Sequence, residues 1–135
     1  MAKQESIDTK MQRIAKVAKS VAITLEDLRR ADMKILDLSL TYHWYDEIAA
    51  GRKLEEYREI TPYWKSRLTF SQWRGTDIFR HYDAVRFHRG QGSPVTMLVE
   101  CIGIRIGYGR EDWGAPKGKQ VFVIQLGDIL EKKEA

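Results

Sequence analysis

Three features of the sequence predict an α+β fold: a mixed β-barrel of about five to six strands, with short peripheral helices and an N-terminal helical extension. Segments that alternate apolar and polar residues with period two recur along the chain. Short stretches of helical period fall between them. Glycine-rich loops separate the later strands at irregular spacing, which favours a mixed barrel over a parallel α/β sheet.

The first element is helical. Met11, Ile14, Ala15, Ala18, Val21, Ala22, Leu25 and Leu28 recur at three- and four-residue spacing across residues 9–31. Thr24 followed three residues later by Asp27 resembles a helix start, so a break into two helices is expected near residues 20–23. The barrel begins where Leu36, Leu38 and Leu40 alternate with Asp37 and Ser39. Residues 42–50 suit a short helix with Trp44 and Ile48 on its inner side, and Gly51 follows where a left-handed cap is wanted.

Residues 53–60 form the second predicted strand. Thr61-Pro62 ends it, because proline cannot donate to a strand ladder and suits the first turn of a helix over residues 63–68. Another short helix is expected around residues 77–82. Strands are then predicted over residues 84–88, 97–108 and 119–126. The loops at residues 90–94 and 107–118 lack the strand–GxxxxGKS–helix context of a phosphate-cradling loop.

Composition narrows the function classes. The chain has 135 residues, long enough for one sizeable core, with 43% hydrophobic and 31% charged residues. No apolar run approaches the roughly 20 residues that cross a bilayer, and no uninterrupted apolar stretch marks a secretory leader, so a cytoplasmic protein without membrane association is expected. Cys101 is the sole cysteine, which excludes an intramolecular disulfide and a cysteine-cluster metal site. His43, His81 and His88 show no close ligand spacing, so neither a metal nor a cofactor is expected. The net charge of +4 would favour the approach of a phosphate-bearing partner.

The chemistry-bearing segment is Gly51-Arg52-Lys53-Leu54-Glu55-Glu56-Tyr57-Arg58. In a strand Glu56 and Arg58 lie on one face roughly 7 Å apart, whereas Lys53 has the wrong parity for that face unless its long stem curls in from the glycine turn. Glu100 is in register with Leu98, Ile102, Ile104 and Ile106, an otherwise apolar face. An ionised carboxylate there needs a partner such as Lys53 or Arg58, or a bulge that turns it to water. With such a partner, Lys53, Glu56, Arg58 and Glu100 converge on one cleft.

The spacing Gly51-x-Lys53-x-x-Glu56-x-Arg58, after a leucine-rich strand and a short helix, resembles the GxKxxExR signature of the ASCH domain, and the resemblance covers most of residues 33–130. It implies a helical extension over residues 1–32 and an ASCH-type, PUA-like barrel over residues 33–135 with a cleft and a role in RNA binding or processing. Some members of that family are amidohydrolases that deacetylate acetylcytidine with a lysine, a threonine and a glutamate, and others are described as ribonucleases. By that resemblance Lys53 and Glu100 match the lysine and the glutamate, while Glu56 stands where the threonine does and supplies no hydroxyl.

Two functions follow as expectations. In the first, RNA or a nucleotide-like small molecule occupies the cleft, stacked on Tyr57 or Trp64, with Lys53, Glu56 and Arg58 as polar contacts. In the alternative, a hydrolase acts on a modified nucleoside or RNA, with Lys53, Glu56 and Glu100 as candidate catalytic residues. Aromatic Tyr63, Trp64, Trp73, Phe79 and Tyr82 interleave with basic Lys65, Arg67, Arg74, Arg80, Arg86 and Arg89, which modestly favours a nucleic-acid partner. A third class, protein interaction through the N-terminal helices, would leave their apolar stripe exposed in the monomer.

Overall fold

In the computed structural model the described residues are 6–20, 31–70 and 78–134. The chain divides into two compact units, Met1–Met33 and Lys34–Ala135.

In the first unit α1 spans Ile7–Ser20. It starts two residues earlier than predicted because Ser6 Oγ accepts from the Thr9 amide at 3.1 Å, satisfying one of the donors that a helix start leaves unpaired. The second predicted helix, with Thr24 and Asp27 at its start, lies outside the described residues, as do Trp73 and Arg74.

The second unit holds β1 (Ile35–Leu40), α2 (Tyr42–Ala49), β2 (Glu55–Arg58), α3 (Pro62–Leu68), β3 (Ala84–Arg89), β4 (Thr96–Tyr108) and β5 (Gln120–Lys133). These five strands form one mixed sheet in the order β1-β3-β4-β5-β2. Only β1 and β3 run parallel, and the other neighbours are antiparallel. The sheet forms a half-barrel with β1 and β2 as its two ends, which fits the barrel-like α+β fold predicted from sequence.

The core fills the curl. Leu36, Leu38 and Leu40 from β1 meet Val85 and Phe87 from β3, Met97 and Val99 from β4, and Phe122, Ile124 and Leu126 from β5. Tyr45 and Ile48 of α2 and Leu68 of α3 cover it. Phe87 and Phe122 are fully buried, and Phe79 packs edge-on against Phe122 at 6.4 Å between ring centres.

Three local expectations are corrected. Residues 78–82 are extended rather than helical: Phe79 bridges Thr69, the Phe70 amide donates to Ile78 O at 2.7 Å and the Arg80 amide to Leu68 O at 2.8 Å. Strand β5 runs seven residues past the predicted end at Leu126, because pairing such as Leu98 with Glu131 and Met97 with Lys132 holds a charged tail that lacks strand periodicity. Strand β2 is only four residues long, and Lys53 precedes it.

Candidate functional site

The cleft begins with how α2 ends. Gly51 adopts φ +77°, a left-handed conformation that side-chain-bearing residues rarely take. Its amide donates to Ile48 O at 3.0 Å, and the amides of Arg52 and Lys53 both donate to Glu47 O at 3.0 and 3.2 Å. Lys53 is thus tied to the helix terminus and is free of the strand's alternation, which removes the parity conflict in the motif. Strand β2 starts at Glu55 and turns Glu56 inward.

Lys53 and Glu56 are 2% and 5% exposed. Lys53 Nζ donates to Glu56 Oε1 at 2.9 Å, while Arg58 Nη2 donates to Glu56 Oε2 at 2.8 Å and to Ser39 O at 3.2 Å. Two cations therefore share one carboxylate, and the trio carries a net positive charge. Arg58 Nε is also buried and has no hydrogen-bond partner among the described residues. Burying ions costs several kcal/mol each, and replacing such a trio with packed apolar side chains is often neutral or stabilising. Stability alone does not account for it.

Aromatic rings flank the charges. Lys53 Nζ lies 4.3 Å from the centre of the Trp44 ring and 5.5 Å from that of Tyr57, and the Arg58 guanidinium lies 5.0 Å from the Trp64 ring. Trp44 was expected in the core beside Ile48, but α2 turns Tyr45 and Ile48 to the core and leaves Trp44 at the cleft. The cleft encloses about 220 Å³ between Trp44, Tyr57, Lys53, Glu56 and Arg58, with Ser39 to Thr41 and Gly114 at its edge. That is below the roughly 300–1,000 Å³ of drug-sized pockets and suits a single ring-sized group.

The loop after β4 closes the cleft. Its backbone passes so near Tyr57 that a Cβ on Gly109 would collide with the ring, and a Cβ on Gly114, which has φ +98°, would sit 2.8 Å from Trp44 Cζ2. Tyr57 Oη donates to Glu55 Oε1 at 2.8 Å and accepts from the Arg110 amide at 2.9 Å. Burial, together with the Glu55 carboxylate and against the Arg110 amide, pushes the Tyr57 phenol up to about 12. Tyr57 stays a neutral hydroxyl that pins the loop.

The structure brings Lys53, Glu56, Tyr57 and Arg58 together, with Trp64 behind Arg58. Glu100 is elsewhere. Register shifts in β4 between Leu98 and Val99, Val99 and Cys101, and Cys101 and Gly103 break the predicted alternation. Glu100 is consequently exposed, with Ile102 beside it 66% exposed, and its carboxylate lies against Gly127. The expected convergence of four residues is corrected to three.

Among the described residues, several of the interleaved aromatic and basic side chains are engaged within the fold. Trp64, Phe79 and Tyr82 pack partly against the core, and Arg89 is held bidentately by Asp46 at 3.0 Å. Arg67 stacks on Tyr63 at 4.6 Å and Arg80 on Phe70 at 4.4 Å. Cys101 is buried, and burial raises its thiol above the usual range. Among the described residues no His, Cys, Asp and Glu side chains cluster to hold a metal, and no helix is long and apolar enough to cross a membrane.

No family model and no curated protein matches the chain. Among solved structures it is similar to that of a point mutant of ZmASCH, an ASCH protein from Zymomonas mobilis, at 12% identity and a TM-score of 0.45, over 76% of this chain and 75% of that one.

Proposed function

We propose that the protein is a PUA-like RNA- or nucleotide-binding module acting in RNA metabolism, and that the cleft between Trp44 and Tyr57 holds one base. The observation that carries this reading is two cations on one carboxylate, with Lys53 and Glu56 buried and Arg58 partly so, set between aromatic rings. A base offers a π-face for the rings and carbonyl or ring-nitrogen acceptors for the spare donors of Lys53 and Arg58. Stacking of a base on an aromatic side chain contributes about 1–3 kcal/mol and tolerates different bases. The net positive charge favours the adjoining phosphate.

Among the described residues, the contacts of Lys53 and Glu100 do not assemble the hydrolase alternative. Lys53 donates to Glu56 rather than to Glu100, which lies on the outer surface, and no hydroxyl stands at the Glu56 position. Incubation with acetylcytidine should release no cytidine above background.

The test is titration of labelled single-stranded oligoribonucleotides at several salt concentrations, followed by fluorescence anisotropy. Saturable binding that weakens as salt rises, and that falls in Arg58→Ala and Trp44→Ala, is expected. Absent or salt-insensitive binding, or full binding by Trp44→Ala, would remove the proposal.

A further inference from the structure

A second compartment adjoins the first. About 250 Å³ in size, it is lined by Tyr57, Arg58, Glu59, Gly114, Pro116 and Val121. Tyr57, Arg58 and Gly114 line both spaces and so form the wall between them. The two compartments differ chemically. The first is faced by rings and the cationic trio, whereas the second has the flat apolar surfaces of Pro116 and Val121 and a carboxylate, Glu59, whose Oε1 lies 3.2 Å from Lys119 Nζ.

We infer that the cleft takes two consecutive nucleotides of a single strand, one base in each compartment, with the linking phosphodiester at Arg58. This rests on the base-binding reading of the first compartment. The order of charges supports it. The shared wall carries the Arg58 guanidinium, which lines both compartments and gives the trio with Lys53 and Glu56 its net positive charge, so the anion is favoured there. Beyond it stands the Glu59–Lys119 pair, net neutral, so the second compartment offers a terminal phosphate no net attraction. A neutral base or ribose suits that space, with its amino or hydroxyl groups donating to Glu59 and its ring on Pro116 and Val121. A free nucleoside fills one compartment, and a 5′-monophosphate with its phosphate at Arg58 leaves the second compartment empty. A dinucleotide alone meets ring, cation and apolar pocket in sequence.

The test is calorimetric titration of the whole protein with each of the four ribonucleosides, its 5′-monophosphate and the matching homodinucleotide. For the preferred base the dinucleotide should bind at least ten-fold more tightly than the monophosphate. Glu59→Lys should tighten the monophosphate and narrow that ratio, because the substitution turns a net neutral pair with Lys119 into two cations at an exposed position. Trp44→Ala should weaken all three ligands. Equal affinities for monophosphate and dinucleotide, both weakened in Trp44→Ala, would overturn the two-nucleotide inference and leave base binding standing. A ratio unchanged by Glu59→Lys would overturn it as well. No binding by any ligand would remove the base-binding reading itself, and this inference with it.

Discussion

Two clusters in the half-barrel share one composition, a carboxylate flanked by two basic side chains, and differ in burial. In the cleft Glu56 lies between Lys53 and Arg58, 2.9 and 2.8 Å away and nearly sealed from water. On the outer surface Asp37 of β1 lies 3.0 Å from His88 and 3.7 Å from Arg86 of β3, and its side chain is 56% exposed. Water and salt screen the outer cluster, so its ions cost little to place and contribute little. The inner cluster has been stripped of water, so each ion depends on the others and on whatever enters the cleft. Burial, rather than residue type, separates a solvated charge cluster from a candidate site.

The largest expected effect breaks the inner cluster. Glu56→Ala strands the buried Lys53 and the partly buried Arg58 and should lower the free energy of unfolding by about 3–5 kcal/mol, whereas Asp37→Ala should cost about 0–1 kcal/mol. Urea denaturation of both variants checks this, and equal losses would erase the contrast between the clusters. A second variant sharpens it. Replacing the trio together, as Lys53→Met, Glu56→Leu and Arg58→Met, should leave stability unchanged or raise it by about 1–4 kcal/mol while abolishing oligoribonucleotide binding. A large loss of stability in that triple variant would assign the trio to the fold instead of to a ligand.

Gly114→Ala should come next. Its φ of +98° disfavours any side chain, at a cost on the order of 1–3 kcal/mol, and the new methyl would displace Trp44 from the cleft. Binding should fall more than thermal stability does, and comparing anisotropy with a melting curve distinguishes the two.

The smallest effects are titrations. Tyr57 has its folded pKa raised to about 12, above the unfolded value of about 10, so its contribution to stability is complete below the unfolded pKa and is lost as pH rises through the folded one. An ultraviolet titration should show a late-ionising tyrosine that disappears in Tyr57→Phe. At the acid end, hydrogen bonds from the Arg89 side chain and the Lys34 amide lower Asp46 and Asp83 respectively, so that stabilisation is present above the ordinary carboxylate pKa and is lost as pH falls through the lowered one. Both carboxylates are solvent-exposed, so the acid-induced drop in melting temperature should be slight and should shrink in high salt.

Elements whose pattern is local were legible in the sequence. The alternation of Leu36, Leu38 and Leu40 marked β1, Gly51 marked the end of α2, and Thr61-Pro62 marked the start of α3, where Thr61 Oγ1 accepts from the Trp64 amide at 3.3 Å. The motif at residues 51–58 also singled out Lys53, Glu56 and Arg58, since a glycine turn followed by charges of opposite sign is visible without coordinates. Trp44 as a cleft wall was not legible, because helical spacing marks a ring near a core but not which neighbour it meets.

What the sequence by itself determined is therefore the order of most elements and the charged side chains of the cleft, because capping, turn chemistry and strand alternation act within a few residues. Tertiary structure decided the rest. Register shifts in β4 sent Glu100 outward, pairing with β4 carried β5 to Lys133, and the return of the chain at Gly109 and Gly114 brought backbone onto Tyr57 and Trp44. Each of these depends on hydrogen bonds or packing between segments distant in the chain, and a period-two pattern carries no information about where its partner strand shifts by one residue.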